Sequence, residues 1–577
     1  MSNTGAGAPA RLSWQMGELL PAAVFDRLLG PGTRFEMATE VVLGRELPVF
    51  VSRASSLRAM LDRAVADRAD DVFMVDGERQ WSFADAAAQI DTIAALLVDR
   101  YGIEPGDRVG IVSANSPEYA LVMWAVVSIG AIVASLNGWW TGPELAFGVQ
   151  LSEPRLITGD ERRLARLADG VVPADVPVVT LADLVAAAEL GPDPVGGSPE
   201  RGPVRSGADG GDLAPEVHED DPAVILFTSG TTGRPKGATL SHRNIINFGD
   251  VALLSAQIGA ALAPPANPLT TQPASIVASP MFHVSGMLAV FMSGPVMGTK
   301  LVFPPPGRWE EETHLRLTEE HGISAWSGVP TQWWRLLRHP DFDSYDLSSL
   351  RNVGGGGAPL APELIRDLTD RLPGVSVGNG YGMSETVGLG TLTGGALLQA
   401  VPDSVGPAQA GGEIEIRDAE GNVLLEGEVG EIHLRNASVF LGYWGDDDAT
   451  AAALDDDRWY RTGDFGHVTG GMLFLDSRVR DLIIRGGENI YPLEIEHRLV
   501  AHPDIDDAAV IGVDHEELGQ QAKAFVVVRA GADLTAPDVQ RWVAEALAAF
   551  KVPALVEFRD ALPYTDSGKV LKRELGG

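Results

Sequence analysis

The sequence predicts an α/β protein: a large unit of parallel-rich sheets with an antiparallel β unit, followed by a small α+β C-terminal domain. Three observations support this. Short apolar runs alternate with helical patterns through the first two thirds of the chain, the signature of βαβ units. After about residue 410 the pattern changes, and Glu413–Arg417 and Gly430–Arg435 read as antiparallel strands bounded by turn residues. The last hundred or so residues then mix strand patterns with one well-marked helix. With 577 residues the chain expects several domains, and 45% hydrophobic and 21% charged residues is ordinary globular composition.

In chain order, residues 1–54 read as an N-terminal extension, disordered at first and then carrying short apolar runs such as 47–51. Residues 108–113, 117–130 and 132–136 read as strand, helix, strand. Residues 119–143 carry no charge, and 121–136 has the length to suggest a membrane span. Ser128, Gly130, Ser135 and Asn137 inside the stretch, and the strand-like runs flanking the helix, favour a buried unit of a parallel sheet. Further strands are expected at 223–227, 274–279 and Lys300–Phe303. Residues 191–212 are rich in Gly, Pro and Ser and read as a solvated loop. A second Pro-rich loop is expected over 260–273, and no fixed-period repeat is visible. Near the C-terminus, Thr535, Pro537 and Asp538 form a capping box that opens a helix. Val539, Trp542, Val543, Ala546, Leu547 and Phe550 fall on one face of it. The expected division is therefore 1–54, 55–479 and 480–577.

Acidic residues outnumber basic ones 79 to 44, a formal charge of −35, which repels phosphate backbones and anionic membranes. With no cysteine in the chain, disulfides, zinc–thiolate sites and thiol nucleophiles are excluded. The first residues are small and polar without a signal-like apolar core, and Ser2 stands where myristoylation needs glycine. A cytoplasmic protein without stable membrane insertion is the expectation, and a homo-oligomer is compatible with it. Lysine occurs only at 236, 300, 523, 551, 569 and 572, against 38 arginines. Either coding bias explains this, or the retained lysines need a compact ammonium.

The strongest local signal follows the strand at 223–227: Thr228-Ser229-Gly230-Thr231-Thr232-Gly233-Arg234-Pro235-Lys236-Gly237. Glycines free backbone N–H groups to face one anion, hydroxyls add donors, and Lys236 adds a mobile charge. The alternative is a polar surface hairpin. This is not the common nucleotide loop, because Pro235 precedes the lysine and a strand, not a helix, follows.

Here the sequence resembles the AMP-forming adenylating enzymes, among them acyl-CoA synthetases and the fatty-acid–CoA ligases. The likeness continues in order through Tyr381-Gly382-Met383-Ser384-Glu385, Tyr460-Arg461-Thr462-Gly463-Asp464, the segment from Arg478 to Glu494 containing Gly486-Gly487, and Ser567-Gly568-Lys569. It covers roughly residue 55 to the end.

The resemblance implies a two-step reaction, in which a carboxylate is adenylated by ATP and a thiol then displaces AMP. It implies a small C-terminal domain that swings between the two steps. The 228–237 loop would hold the outer phosphates, and Lys569 would bridge carboxylate and α-phosphate. Glu385, with Thr232, would hold Mg²⁺, and Ser384 keeps the hydroxyl of the usual threonine. Tyr381 would lie against adenine, with Gly355, Gly356, Gly357, Ala358 and Pro359 on the other side of the base. Asp464 would accept both ribose hydroxyls and Arg478 would reach ribose or phosphate. His283 matches a position beside the reacting carboxylate, although a histidine between apolar residues also reads as a core residue. Arg480 would be the hinge, where Asp or Lys is commoner, and Gly486 and Gly487 would line the coenzyme A channel. Lys551 and Lys572 read as surface or packing residues.

No carrier domain follows Lys569, so free coenzyme A is the expected thiol, with a separate carrier protein as the alternative. No Asp is seen to meet an amino group. Phe282, Val284, Val329, Val387 and Leu389, with glycine gaps, suit an apolar acid. A medium- or long-chain fatty acid is expected; sterol side-chain and aromatic acids remain open, as does a non-enzymatic acyl- or nucleotide-binding role.

Overall fold

The charge-free stretch is the innermost part of the molecule. Strand Arg108–Val112, helix Pro117–Ser128 and strand Ile132–Ser135 form a βαβ unit with parallel pairing, Arg108 opposite Ile132. Ser116 caps the helix by accepting from the Tyr119 N–H, Pro117 occupies the first turn, and every residue of the helix except Glu118 is buried. A helix apolar on all sides is stable only when surrounded. This one is surrounded by two sheets. The structure, a computed structural model, describes residues 10–13, 21–167, 171–189, 217–228, 235–262, 264, 268–356, 360–478, 481, 483–485, 488–490, 492–515, 518–547, 549–564 and 570–576.

One sheet has seven strands and the other eight. In the seven-stranded sheet, 178–180, 156–159, 108–112, 132–135 and 222–228 run parallel, and 236–241 and 442–443 add antiparallel at one edge. In the eight-stranded sheet a parallel centre is flanked by an antiparallel strand at each end, 391–394 and 79–82. One core joins them: Val109, Val133 and Leu226 from the first sheet meet Phe73, Leu301 and Phe303 from the second, across Ile90, Leu97 and Trp124 of the intervening helices. Separate cores, around Ile157 and Phe227 and around Trp326 and Leu364, cover the outer faces.

A six-stranded antiparallel sheet follows, with Glu413–Arg417 and Gly430–Arg435 as expected. A smaller C-terminal domain packs helices Pro492–Val500 and Ala536–Ala544 on a sheet centred on Ile505–His515 and Gly519–Val528. Thr535 and Asp538 make the expected capping box.

Several expectations are corrected. Strand Ala274–Ile276 stops short of residue 279, because the Asn115 side chain donates to the Val277 and Ser279 carbonyls at 2.9 and 2.7 Å and so replaces a neighbouring strand. The loop expected from residue 260 begins later, since helix His242–Leu262 runs into it. The C-terminal helix ends at Ala544, and Phe550 lies in a separate short turn. Residues 191–212 lie outside the described residues.

The described part of the N-terminal extension is stitched to the large domain. Arg11–Ser13 pairs antiparallel with Glu413–Arg417, and Phe35 and Phe50 pack with Val251, Leu254 and Leu389. Among the described residues, His242–Leu262 is the one helix long and apolar enough to cross a membrane. Its buried polar residues are those of a core helix: His242 Nδ1 accepts from the Leu57 N–H at 3.1 Å, Arg243 pairs with Asp220 at 2.6 Å, and Asp250 pairs with Arg34.

Candidate active site

The glycine- and hydroxyl-rich sequence begins and ends on two antiparallel strands, 222–228 and 236–241. Thr228 and Lys236 stand directly opposite each other, so the ends of the loop are fixed by the ladder; Ser229, Gly230, Thr231, Thr232 and Gly233 lie outside the described residues. Gly237 is sterically required, because a Cβ there would lie 2.8 Å from Ile225. Its carbonyl accepts from the Trp444 N–H at 2.7 Å, which brings Tyr443 alongside and places the Lys236 ammonium 4.7 Å from the centre of the Tyr443 ring.

Glu385 sits in the short turn Ser384–Thr386 and is 7% exposed. Two tight approaches build that turn. Gly388 donates to the Met383 carbonyl at 2.7 Å, and a Cβ on Gly382 would come 2.2 Å from the Gly388 backbone. The Tyr443 hydroxyl donates to Glu385 Oε1 at 2.9 Å. Burial, and then the Glu385 carboxylate, push the Tyr443 and Tyr460 hydroxyls well above the usual phenol range, so both stay protonated donors. Tyr443 is a site residue the sequence reading missed. Its signal was the Gly442-Tyr443 pair forming a two-residue strand beside the lysine strand.

Asp464, also 7% exposed, accepts from the Tyr381 hydroxyl at 3.0 Å on Oδ2. Its backbone N–H donates to Thr462 Oγ1 at 3.0 Å, and Gly463 turns the chain with φ of 72°. Arg478 pairs with Asp464 across the ladder. Thus the second and third sequence signatures meet through Tyr381 and Asp464.

His283 opens the short helix Val284–Leu288. Asn115 holds the approach to it, because its side chain also accepts from the Met281 N–H at 2.8 Å. The His283 ring lies 4.8 Å from Phe282 and 5.5 Å from Trp139, centre to centre. Gly286 is required here too, with a hypothetical Cβ 2.1 Å from the Pro280 carbonyl. Asn115 and Trp139 are further neighbours the sequence reading did not single out.

The glycine run forms a floor. Ser327, Gly354 and Gly378 stand side by side on three neighbouring strands, and Gly356 stands beside Gly380. Side chains alternate along strands, so these residues share one face. A Cβ on Gly354, Gly356 or Gly378 would meet only backbone carbonyls, at 3.8, 3.4 and 3.5 Å, whereas one on Gly380 would lie 3.1 Å from the Leu392 side chain, so the open patch is Gly354, Gly356 and Gly378. Gly355 points the other way, towards Trp333 and Leu360. The patch of Gly354, Gly356 and Gly378 fits the flat face of a base or a ring. Gly357, Ala358 and Pro359 lie outside the described residues, as do Arg480, Gly486, Gly487 and Lys569.

Among the described residues, no group of three or more His, Asp or Glu could hold a metal by itself. Glu385 alone nevertheless fits Mg²⁺, which takes one or two carboxylates and completes its shell with water and substrate phosphate oxygens.

The structure thus holds a buried carboxylate beside the strand of Lys236, a tyrosine–aspartate pair and a glycine patch on neighbouring strands. The chain belongs to the AMP-binding enzymes: that family's model matches residues 61–444, and the model of its C-terminal domain matches residues 494–569. Within that class it is an AMP-forming acid–CoA ligase, an acyl-CoA synthetase that uses ATP and coenzyme A. It is 32% identical over 478 residues to a feruloyl-CoA synthase of Amycolatopsis, covering 82% of this chain and 89% of the relative. It is 33% identical over 544 residues to the 3-[(3aS,4S,7aS)-7a-methyl-1,5-dioxo-octahydro-1H-inden-4-yl]propanoyl:CoA ligase of Mycobacterium tuberculosis, covering 90% and 98%. A mitochondrial medium-chain acyl-CoA ligase of Danio rerio is 30% identical over 539 residues, covering 90% and 87%. Among solved structures, ATP-bound MatB from Rhodopseudomonas palustris superposes with a TM-score of 0.76 at 29% identity, covering 91% of this chain and 98% of that one.

Proposed function

We propose that the protein activates a hydrophobic carboxylic acid with ATP and Mg²⁺, using the residues assembled above, and passes the acyl group to coenzyme A. A carboxylate oxygen attacks the α-phosphorus, the bond to the β-phosphate oxygen breaks, and pyrophosphate leaves. The thiolate sulfur of coenzyme A then attacks the acyl carbon, the bond to the AMP oxygen breaks, and AMP leaves with the electron pair. The first step brings two anions together, so it depends on fixed positive charge and alignment.

Lys236 and Thr228, at the two ends of the loop, hold the outer phosphates together with Ser229, Gly230, Thr231, Thr232 and Gly233. Glu385, with Thr232, would hold Mg²⁺, which would neutralise charge on the phosphates. Asp464 takes the ribose hydroxyls, Tyr381 and Gly356 to Pro359 enclose the base, and Arg478 reaches ribose or phosphate. Lys569 bridges the carboxylate and the α-phosphate. His283 faces the acid, Arg480 is the pivot, and Gly486–Gly487 admits the thiol. The observation that carries this reading is the Lys236–Tyr443–Glu385 contact, which sets a cation over the face of one ring and a carboxylate at its hydroxyl.

For the acid, the apolar residues that the resemblance places near it, Phe282, Val284, Val329, Val387 and Leu389, support a medium- or long-chain fatty acid. A second reading has its own observation. Gly354, Gly356 and Gly378 leave a patch without side chains across two strands spaced about 4.8 Å apart, and two positions along a strand span roughly 7 Å, room for the flat face of a ring. That width is wasted on a single methylene chain, and it favours an aromatic or sterol-derived ring acid. Pyrophosphate release with octanoate, palmitate, ferulate and a bicyclic propanoic acid, with and without coenzyme A, tests both. Release confined to the ring acids would remove the fatty-acid reading, and release confined to the chain acids would remove the second. Silence from all four, with ATP and Mg²⁺ present, would count against acid activation itself.

A further inference from the structure

Arg458 is the one arginine among the described residues with a left-handed backbone, its φ being 62°. The turn before it imposes this. Asp455 Oδ1 accepts from the Asp457 and Trp459 N–H groups at 3.0 and 2.8 Å, and the Arg458 N–H donates to the Asp455 carbonyl at 3.0 Å. Glycine takes such a position without strain. A long side chain there is costly, and strain of this kind persists only where the surroundings enforce it.

The guanidinium turns inward instead of into water. Its Nη2 donates to the Phe440 carbonyl at 2.6 Å and to the Val439 carbonyl at 3.2 Å. Burial lowers it from the usual guanidinium range, with the charge of Asp220 opposing. The same segment is held from its other side. Asn244 Nδ2 donates to the Val439 and Ala437 carbonyls at 3.0 and 2.9 Å, and Asn247 Nδ2 donates to the Ser438 hydroxyl at 2.8 Å.

Phe440 carries that fixation into the site. Its N–H donates to the Glu385 carbonyl at 2.8 Å, and its buried ring meets Tyr443 and Tyr460 edge-on at 4.9 and 5.5 Å between centres. One residue therefore touches both the main chain of Glu385 and the tyrosine that donates to its carboxylate. The turn so braced is itself strained, because the β-branched Val387 that ends it has φ of 55°. A turn of that kind keeps its shape through contacts from outside its own segment.

We infer that Arg458 is a positioning residue for the cation site: by pinning the Val439 and Phe440 carbonyls it holds Phe440 against Glu385 and Tyr443, and so sets where the carboxylate meets a divalent cation. The inference rests on the reading of Glu385 as the Mg²⁺ ligand. Groups that orient a metal ligand from behind are worth about ten- to a hundredfold in metal affinity.

The test uses the full chain with Arg458→Gly, Arg458→Lys and Glu385→Gln. Mn²⁺ serves as the probe. Its binding in the protein–ATP complex, with no acid present and so no turnover, is followed by the enhanced relaxation of water protons. Glycine suits the left-handed backbone, so Arg458→Gly is expected to unfold close to the temperature of the parent protein. It should nevertheless bind Mn²⁺ about ten- to a hundredfold more weakly, while thioester formation from a chemically prepared acyl-adenylate and coenzyme A stays within about twofold of the parent. Arg458→Lys keeps a cation that can reach one carbonyl and should lose less; it takes over the comparison if Arg458→Gly does not fold. Unchanged Mn²⁺ binding in the Arg458 variants, or an equal loss of Mn²⁺ binding and thioester formation, would overturn the proposal. If Glu385→Gln binds Mn²⁺ as the parent does, the reading of Glu385 fails and this inference fails with it. If Glu385→Gln loses Mn²⁺ while the Arg458 variants keep it, only the inference fails.

Discussion

The Tyr443 hydroxyl donates to Glu385 at 2.9 Å, and the face of the same ring receives the Lys236 ammonium at 4.7 Å. One ring thus contacts both the carboxylate, through its hydroxyl, and the ammonium, through its face.

Tyr443→Phe keeps the ring under Lys236 but leaves the buried Glu385 without that donor. The expected cost is about 1–3 kcal/mol in stability, together with a higher Mg²⁺ requirement for pyrophosphate release. Thermal unfolding and a Mg²⁺ titration check it. An unchanged Mg²⁺ dependence would separate Tyr443 from the cation site.

Asp464→Asn replaces an acceptor-only carboxylate with a half-donor amide at the point where Tyr381 already donates. Hydrogen bonds to charged groups are worth about 1.5–3 kcal/mol, so KM for ATP should rise by roughly ten- to a hundredfold with little change in KM for the acid. An increase in the acid KM alone would place Asp464 outside the nucleotide site.

Gly378→Ala adds one methyl to the floor. Its nearest neighbour would be the Thr393 carbonyl at 3.5 Å, an ordinary contact, so the unfolding temperature should hold. Ring acids should lose kcat/KM by several fold relative to octanoate, since a methyl in a fitted pocket is worth about 1–3 kcal/mol. A uniform loss across all acids would show that the floor does not contact the acyl group.

Acid lability should follow buried histidines. Burial pushes His242 down to about 4, with Asp221 opposing, while the unfolded imidazole titrates near 6.5. Between those values the unfolded chain binds the extra proton. The contribution of neutral His242 is therefore complete above about pH 6.5 and lost as pH falls through 4, about 3 kcal/mol in all. His314 and His433, pushed down by burial to about 3 and about 4, act in the same direction. Unfolding of the parent and His242→Gln proteins at pH 7.5 and pH 4.5 should show a shallower pH slope for the variant. Identical slopes would refute the assignment.

Much of the fold was legible because each element carries its own period. Strand Lys300–Phe303 and the Thr535 capping box are local facts, set by residues within a few positions of one another. The order of the signatures, from Thr228 through Glu385 to Asp464, was equally plain. Tyr443 was not, because its role depends on a two-residue strand that meets Lys236 and Glu385 only after the sheet closes. The glycines become a face only through the register of two neighbouring strands. Asn115 was invisible for a similar reason, since its three bonds to residues 277–281 replace a strand neighbour that period-two patterning had assumed.

The short pairing of Arg11–Ser13 with Glu413–Arg417 has a consequence for synthesis on the ribosome. The partner strand is made about four hundred residues later. At roughly 5–20 residues per second, the N-terminal strand waits about 20 to 80 s for it. Phe35 and Phe50 wait nearly as long for Leu389 and Ala410. During that interval an apolar segment with open backbone donors is displayed to the cell, so a chaperone that holds nascent chains has its natural target at the start of this polypeptide rather than in its charge-free core.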